Sequence, residues 1–249
     1  MKDVTEKKIL IFIPAYNVEK QILRVLKKIP FHLLNEYRIR ILIIEDCSKD
    51  NTRKIIDDYL KVIKNSSLIH FIKNEKNQGY GGVQKIAFNH ALKNNFDFVI
   101  MLHGDDQYEP EILPKFISKL LDGDADAIFG SRFINPKDPL KGGMPLNRYF
   151  GNRIVTFIQN TIVGTKMTEF HSGYRAYKTE VLKKINFMKN SNDFYFDSEI
   201  IIQMAKSKFT IKEIPIATIY GDEISNLNPI PYGINVLITT IKYKFFEKD

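Results

Sequence analysis

Short apolar runs alternate along this chain with segments whose apolar residues recur at helical spacing, the pattern of a mostly parallel sheet covered by helices. Residues 9–13 are apolar throughout and stop at Pro14, which predicts a central strand buried on both faces. Further strands are predicted over 39–44, 68–72, 96–102, 127–130 and 212–216. Ile22, Leu23, Val25, Leu26 and Ile29 share the inner face of a helix over 18–29 that Pro30 ends. A second helix starts at a cap on Asp50 or Asn51 and runs through Tyr59 and Leu60. Others are predicted over 83–92, 110–121, 146–163 and 196–206, with Pro110 suited to a first turn. The proline, glycine and lysine of 135–145 predict a mobile surface loop of the kind that forms lids. A polar loop follows the 146–163 helix as far as Arg175.

The 249 residues suffice for one large α/β domain, and composition is that of an ordinary globular protein. The formal charge of +8 favours anionic partners: nucleotide phosphates, nucleic acid or an anionic membrane surface. The basic residues are scattered and no aromatic-basic RNA-binding motif is present, so nucleic acid is not expected. Cys47 is the only cysteine, which excludes an intramolecular disulfide and a cysteine-rich metal site. The polar N-terminus lacks the apolar core of a secretory signal, and no apolar run approaches the ~20 residues of a membrane span. A cytoplasmic location is expected. The basic, apolar stretch 236–246 reads either as a membrane-docking segment or as a helix packed on the domain.

Polar clusters fall at the carboxyl ends of the predicted strands, where ligands bind in open α/β sheets. Pro14, Ala15, Tyr16 and Asn17 follow the first strand, Glu45 and Asp46 the second, Gly79 to Gly82 the third, and His103 to Gln107 the fourth. Asp46 either accepts a hydrogen bond from the N–H edge of a base or shapes a turn with Ser48. Gly79 and Gly81 let backbone N–H groups approach a phosphate, with Lys85 in the next turn, or form a plain glycine-rich turn; the spacing is not that of a Walker A loop. After the fourth strand, alternation puts Asp105 and Gln107 on one side with His103 and turns Asp106 elsewhere. Asp105 is then the chief ligand, and Gln107 a weaker one, for Mg²⁺ or Mn²⁺. A solvated acidic turn is the alternative.

These blocks, in this order, resemble the family-2 glycosyltransferases, especially the branch with dolichyl-phosphate mannose synthase and bacterial polyprenyl-phosphate sugar transferases. Residues 13–17 look like the family's opening motif and 45–52 like its Asp-Asp-x-Ser-x-Asp-x-Thr motif. Residues 77–85, 103–110, 130–132, 172–175 and 196–199 match its later blocks. The resemblance implies an α/β GT-A fold, Rossmann-like, with a mostly parallel sheet flanked by helices and a smaller acceptor-side region. It divides one domain over 1–249 into a nucleotide-sugar-binding half, 1–132, and an acceptor-side half with a C-terminal helix, 133–249. It implies a nucleotide-sugar donor, a divalent cation, Mn or Mg, and inversion at the anomeric carbon.

Pro14, Ala15, Tyr16, Asn17, Glu19, Asp46, Gly79, Gly81, Lys85, His103, Gly104 and Asp105 would hold the donor, and Asp105, Gln107 and His103 the metal. Arg132 and Arg175 would meet phosphate charge, and Glu169 would position or deprotonate the acceptor. His103 replaces the first aspartate of the family's Asp-x-Asp motif, and Glu169 stands where relatives often carry aspartate. The expected function is transfer from a UDP- or GDP-sugar to a polyprenyl or dolichyl phosphate, with peripheral docking at the inner membrane face. Transfer to a soluble or surface glycan, or non-catalytic binding of a nucleotide sugar, is the alternative. No oligomeric state follows from the sequence.

Overall fold

The computed structural model describes residues 6–32, 37–217 and 229–245. Seven strands form one sheet in the order β3-β2-β1-β4-β6-β5-β7. Strands β1 (Lys8–Ala15), β2 (Arg38–Glu45), β3 (Ile69–Lys73) and β4 (Phe98–Met101) are mutually parallel. Strand β6 (Arg175–Lys178) runs antiparallel between β4 and β5 (Ala127–Ser131), and β7 (Ile211–Pro215) is parallel to β5. The antiparallel β6 was not foreseen; its sequence, Arg-Ala-Tyr-Lys, carries no apolar run, yet Arg175, Ala176 and Tyr177 are all fully buried.

The apolar runs are continuous because β1 is covered on both faces. Ile9, Ile11 and Ile13 face a core built with α1 (Ile22–Lys28), α2 (Thr52–Val62) and α4 (Leu113–Leu121). Leu10 and Phe12 face a second core with α3 (Gly79–Lys93), α7 (Thr179–Lys184) and α8 (Phe196–Lys206). Helix α3 therefore begins at Gly79, four residues before the predicted start, and the glycine-rich segment is its first turn.

The segment 135–145, read as a mobile loop, contains the short helix α5 (Asp138–Lys141), and Met144 packs with Phe133 and Tyr149 in a small buried cluster. Helix α6 (Leu146–Val163) follows, and α9 (Pro229–Phe245) lies against it: Gln159 Nε2 donates to Thr240 Oγ1 at 3.1 Å and to Ser198 Oγ at 3.1 Å. The predicted stretch 236–246 is thus helical as far as 245, and Phe246 lies outside the described residues. Strand order reverses between β1 and β4, which opens a crevice at their carboxyl ends.

Candidate active site

A cleft of about 1320 Å³ occupies that crevice. Pro14, Ala15, Tyr16, Asn17, Glu19, Asp46, Gly79, His103, Gly104, Asp105, Gln107 and Arg132 line it; Gly81, Lys85, Glu169 and Arg175 do not.

The loops after β1 and β2 are knitted together. Asn17 N–H donates to Ser48 Oγ, Lys49 N–H to Asn17 Oδ1, and Asn51 donates twice to Glu19 Oε2. Asp46, nearly inaccessible, accepts from Asn74 Nδ2 at 2.8 Å, Gln78 N at 2.8 Å and Gly79 N at 3.0 Å. Its carboxylate therefore caps α3, where the helix dipole favours negative charge. Those first-turn donors, read from sequence as a phosphate cradle, are already taken. Gly81 N–H likewise donates to Asn192 O, and a Cβ on Gly81 would press on Ser191 O and Phe196. Lys85 turns away from the cleft and donates to Asn190 O and, at 2.7 Å, to Asn192 Oδ1. The glycines and Lys85 together dock the 190–192 segment onto α3.

After β4, His103 Nδ1 lies 3.7 Å from Asp105 Oδ2, while Asp105 Oδ1 accepts from Gln107 N at 3.1 Å. Burial pushes the Asp105 carboxyl up, but His103 and the Gln107 N–H outweigh it and hold the group below the ordinary aspartate value. Asp106 has φ of +60° and turns out to Arg24 Nε at 2.9 Å and Lys28 Nζ at 3.2 Å, as alternation predicted. The His103 ring packs edge-on against Tyr108, and its Nε2 is buried with no hydrogen-bond partner. Gly173 closes that side so tightly that a Cβ there would collide with the ring. Only the Nδ1 edge is left to share with Asp105.

The Asp105 carboxylate and the His103 Nδ1 edge, with Gln107 also lining the cleft beside them, make an open donor set. Among the described residues no group of three or more His, Cys, Asp and Glu gathers into a metal site. Such a set fits a hard divalent ion that keeps waters and draws other ligands from a diphosphate. Imidazole favours Mn²⁺ over Mg²⁺.

The two arginines part company. Arg132 lines the cleft, and its backbone N–H and Nε both donate to Glu169 at 2.8 Å, with a further ion-pair contact from Nη2. Glu169 also accepts from Asn152 Nδ2 at 2.9 Å, and Glu213 holds its backbone N–H at 3.1 Å. Burial pushes the Glu169 carboxyl up, but the charge and donors of Arg132 and the Asn152 amide more than reverse this, so it stays ionised and weakly basic. Arg175 is fully buried: Nε donates to Ser172 O at 2.7 Å, Nη2 to Phe170 O at 2.7 Å and Nη1 to Asp197 O at 3.0 Å. Its guanidinium sits over the Phe129 ring, and Asp197 receives Tyr80 Oη and Gln84 Nε2 beside it. It cannot meet a ligand phosphate in this arrangement.

Several cleft residues escaped the sequence reading. Arg148 and Asn152 reach the cleft from α6, and Tyr232 from α9 places its hydroxyl 3.1 Å from His171 Nδ1. Burial lowers His171 to about 4, so it is neutral at physiological pH. The polar residues Asn147, Arg148 and Asn152 in the first two turns were the available signal for α6. Nothing local pointed to His171.

Comparison with known proteins bears on this arrangement. The profile described as "Glycosyl transferase family 2" matches residues 10–186, from β1 through α7. The chain is a family-2 glycosyltransferase. This glycosyltransferase is 31% identical over 244 residues to the UDP-N-acetylglucosamine--dolichyl-phosphate N-acetylglucosaminyltransferase of Methanococcus voltae, covering 94% of this chain and 93% of that one. It is 24% identical over 212 residues to the polyprenol monophosphomannose synthase of Mycolicibacterium smegmatis, covering 83% and 76%. Among solved structures, the glucosyl-3-phosphoglycerate synthase of Mycobacterium tuberculosis with Mg²⁺ and uridine diphosphate superposes with a TM-score of 0.69 at 14% identity, covering 98% of this chain and 81% of that one. That likeness establishes the GT-A fold expected from the sequence.

Proposed function

We propose that the glycosyltransferase moves a sugar from a UDP- or GDP-sugar to a polyprenyl or dolichyl phosphate presented at a membrane surface. The observation that carries this reading is Glu169: the one carboxylate expected to act as base is buried behind Arg132, absent from the cleft wall and held ionised. A sugar or protein hydroxyl needs its proton removed in the transition state. A phosphate monoester oxygen is already anionic at neutral pH and needs no base. Names of the two relatives above, one acting on dolichyl phosphate and one making polyprenol monophosphomannose, support the same acceptor class.

In this reading the acceptor oxygen attacks the anomeric carbon opposite the leaving group. A new carbon–oxygen bond forms as the bond to the diphosphate breaks, the nucleoside diphosphate departs with the electron pair, and configuration inverts. The crevice between β1 and β4 holds the donor, with Asp46 and the 14–19 loop at its nucleotide end. Asp105, with His103 Nδ1 and Gln107, would hold a divalent ion, Mn²⁺ or Mg²⁺, whose charge would offset that of the diphosphate. Arg132 supplies fixed positive charge to the cleft, with its orientation set by Glu169, which Asn152 in turn holds.

The test supplies radiolabelled UDP- and GDP-sugars with short-chain polyprenyl phosphate, with the corresponding dephosphorylated alcohol, and with soluble glycans. Label entering a solvent-extractable product only with the phosphate is expected. Label transferred to the alcohol or the glycans at comparable rate would overturn the assignment.

A further inference from the structure

Helices α6 and α9 each carry a row of exposed apolar side chains. On α6 these are Leu146, Phe150, Ile154 and Phe157, exposed by 58–71%; on α9 they are Ile234, Ile238, Ile241 and Phe245, exposed by 44–67%. The spacings are those of one stripe on each helix, and each stripe runs for roughly 17 Å at the helical rise. Single exposed apolar residues are ordinary, but contiguous rows on adjoining helices mark a surface with a partner.

Neither helix contains an acidic residue in its sequence, whereas Arg148, Arg153, Lys242 and Lys244 belong to them. Apolar rows on helices whose only charged residues are basic match the boundary between acyl chains and anionic headgroups. No helix among the described residues is long and apolar enough to cross a membrane, so a row of this kind would lie along the surface. The position is informative as well. The N-terminal parts of both helices form part of the cleft wall: Arg148, Asn152 and Val155 from the first three turns of α6, Tyr232 and Gly233 from α9. A surface seated on the two rows is therefore continuous with the mouth of the site. The α9 row includes residues of the stretch that the sequence marked as a docking segment; the α6 row has no counterpart in that reading.

We infer that the exposed apolar rows of α6 and α9 dock this enzyme on an anionic lipid bilayer, with the cleft opening beside the headgroups. The inference deepens the acceptor assignment above but is testable without it. The probe is flotation of the full chain with vesicles of phosphatidylcholine alone or of phosphatidylcholine with phosphatidylglycerol. Flotation with the anionic vesicles is expected, weaker with neutral ones.

The double variant Phe157→Ser/Ile238→Ser removes one large apolar side chain from each row, and neither residue lines the cleft. Each such side chain is worth roughly tenfold in partition, so binding should fall on the order of 100-fold. Circular dichroism and thermal unfolding verify that the variant is folded. Should it fail to fold, Phe157→Ser alone, exposed on α6, gives the same readout with a loss of roughly tenfold.

Absence of flotation by the parent chain, or unchanged flotation by a folded variant, overturns the inference. So does a concentration-dependent dimer in sedimentation that the variant dissociates, because the rows would then face a second copy. Transfer to a detergent-dispersed short-chain polyprenyl phosphate separates the two readings. If it persists in the variant while flotation is lost, docking and chemistry are both upheld as distinct functions. If flotation holds while that transfer never occurs, the acceptor assignment alone fails.

Discussion

Replacing Glu169 with glutamine keeps the shape of the side chain and removes its charge. In the native chain Arg132 reaches Glu169 through its backbone N–H and Nε at 2.8 Å, and the pair is almost wholly shielded, with side-chain exposures of 11% and 0%. Glutamine leaves one oxygen to accept and turns an NH₂ toward cationic donors. Breaking a buried pair on one side costs about 3–5 kcal/mol, and the retained amide oxygen puts Glu169→Gln near the lower end, about 3 kcal/mol. For a chain of this size that lowers Tm by roughly 6–12 °C.

The pH dependence carries a sign. The folded Glu169 carboxyl is held below its ordinary value, so its contribution is fully present above about pH 4.5 and is lost as pH falls through the folded value. The difference in Tm between parent and variant should be constant from pH 6 to 8 and shrink below pH 4.5. Kinetically, a displaced Arg132 raises KM for the acceptor phosphate. A general base would behave otherwise, losing roughly 10²–10⁴ in kcat with little change in Tm. Thermal unfolding across pH with steady-state kinetics decides between them, and a fully stable variant with kcat lost and KM unchanged would refute the reasoning.

Arg175→Met should act on stability and not on ligand binding, because the guanidinium feeds three buried carbonyls and faces Asp197; a loss of about 3–5 kcal/mol in urea unfolding is expected, with nucleotide affinity of the folded fraction unchanged. Asp105→Ala should abolish transfer and remove the extra thermal stabilisation that Mn²⁺ gives a nucleoside diphosphate complex, read by thermal shift with and without the ion. His171, lowered to about 4 by burial, makes the unfolded chain bind the extra proton between about pH 6.5 and 4. Stability should therefore fall as pH drops through that window, and His171→Asn should flatten this part of the curve without adding a step to the pH–rate profile above pH 6.5.

The fold was legible where a strand is buried on both faces. Residues 9–13 of β1, 41–44 of β2 and 98–100 of β4 are runs of isoleucine, leucine, valine and phenylalanine because both faces of the sheet are buried there. Strand β6 was illegible for the opposite reason. Its backbone pairs with β4 and β5 while Arg175 buries a charge by bonding carbonyls, an arrangement that exists only after 170–172 and α8 have closed around it. The position of the cleft was legible too, since polar clusters at the ends of consecutive apolar strands can converge in only one place. What each polar residue does there was less so. Asp46 looked like a base-binding group, and most of its acceptor capacity goes to the first turn of α3.

The paired arginines show why family motifs locate charge without fixing its role. Arg132 and Arg175 both stand in matched blocks, and both carry an always-ionised fork of donors. What separates them is the supply of acceptors in the folded chain. Around Arg175 the carbonyls of Phe170 and Ser172, and that of Asp197 in the first turn of α8, all accept from the guanidinium, which thereby completes the protein's own hydrogen bonding. Around Arg132 a single carboxylate on the inner side fixes the fork while the residue still lines the cleft.

Glu169 follows the same logic. A carboxylate with lowered proton affinity is a poor acceptor of protons and a good anchor for a cation, and the fold uses it as the second. The guanidinium groups of Arg132 and Arg148 still line the cleft, and their charge suits an acceptor that arrives as an anion. If a hydroxyl acceptor were nonetheless used, its base would have to come from a carboxylate now engaged elsewhere, such as Asp197, and Asp197→Asn would abolish transfer to hydroxyls while sparing transfer to phosphates in whatever fraction stays folded.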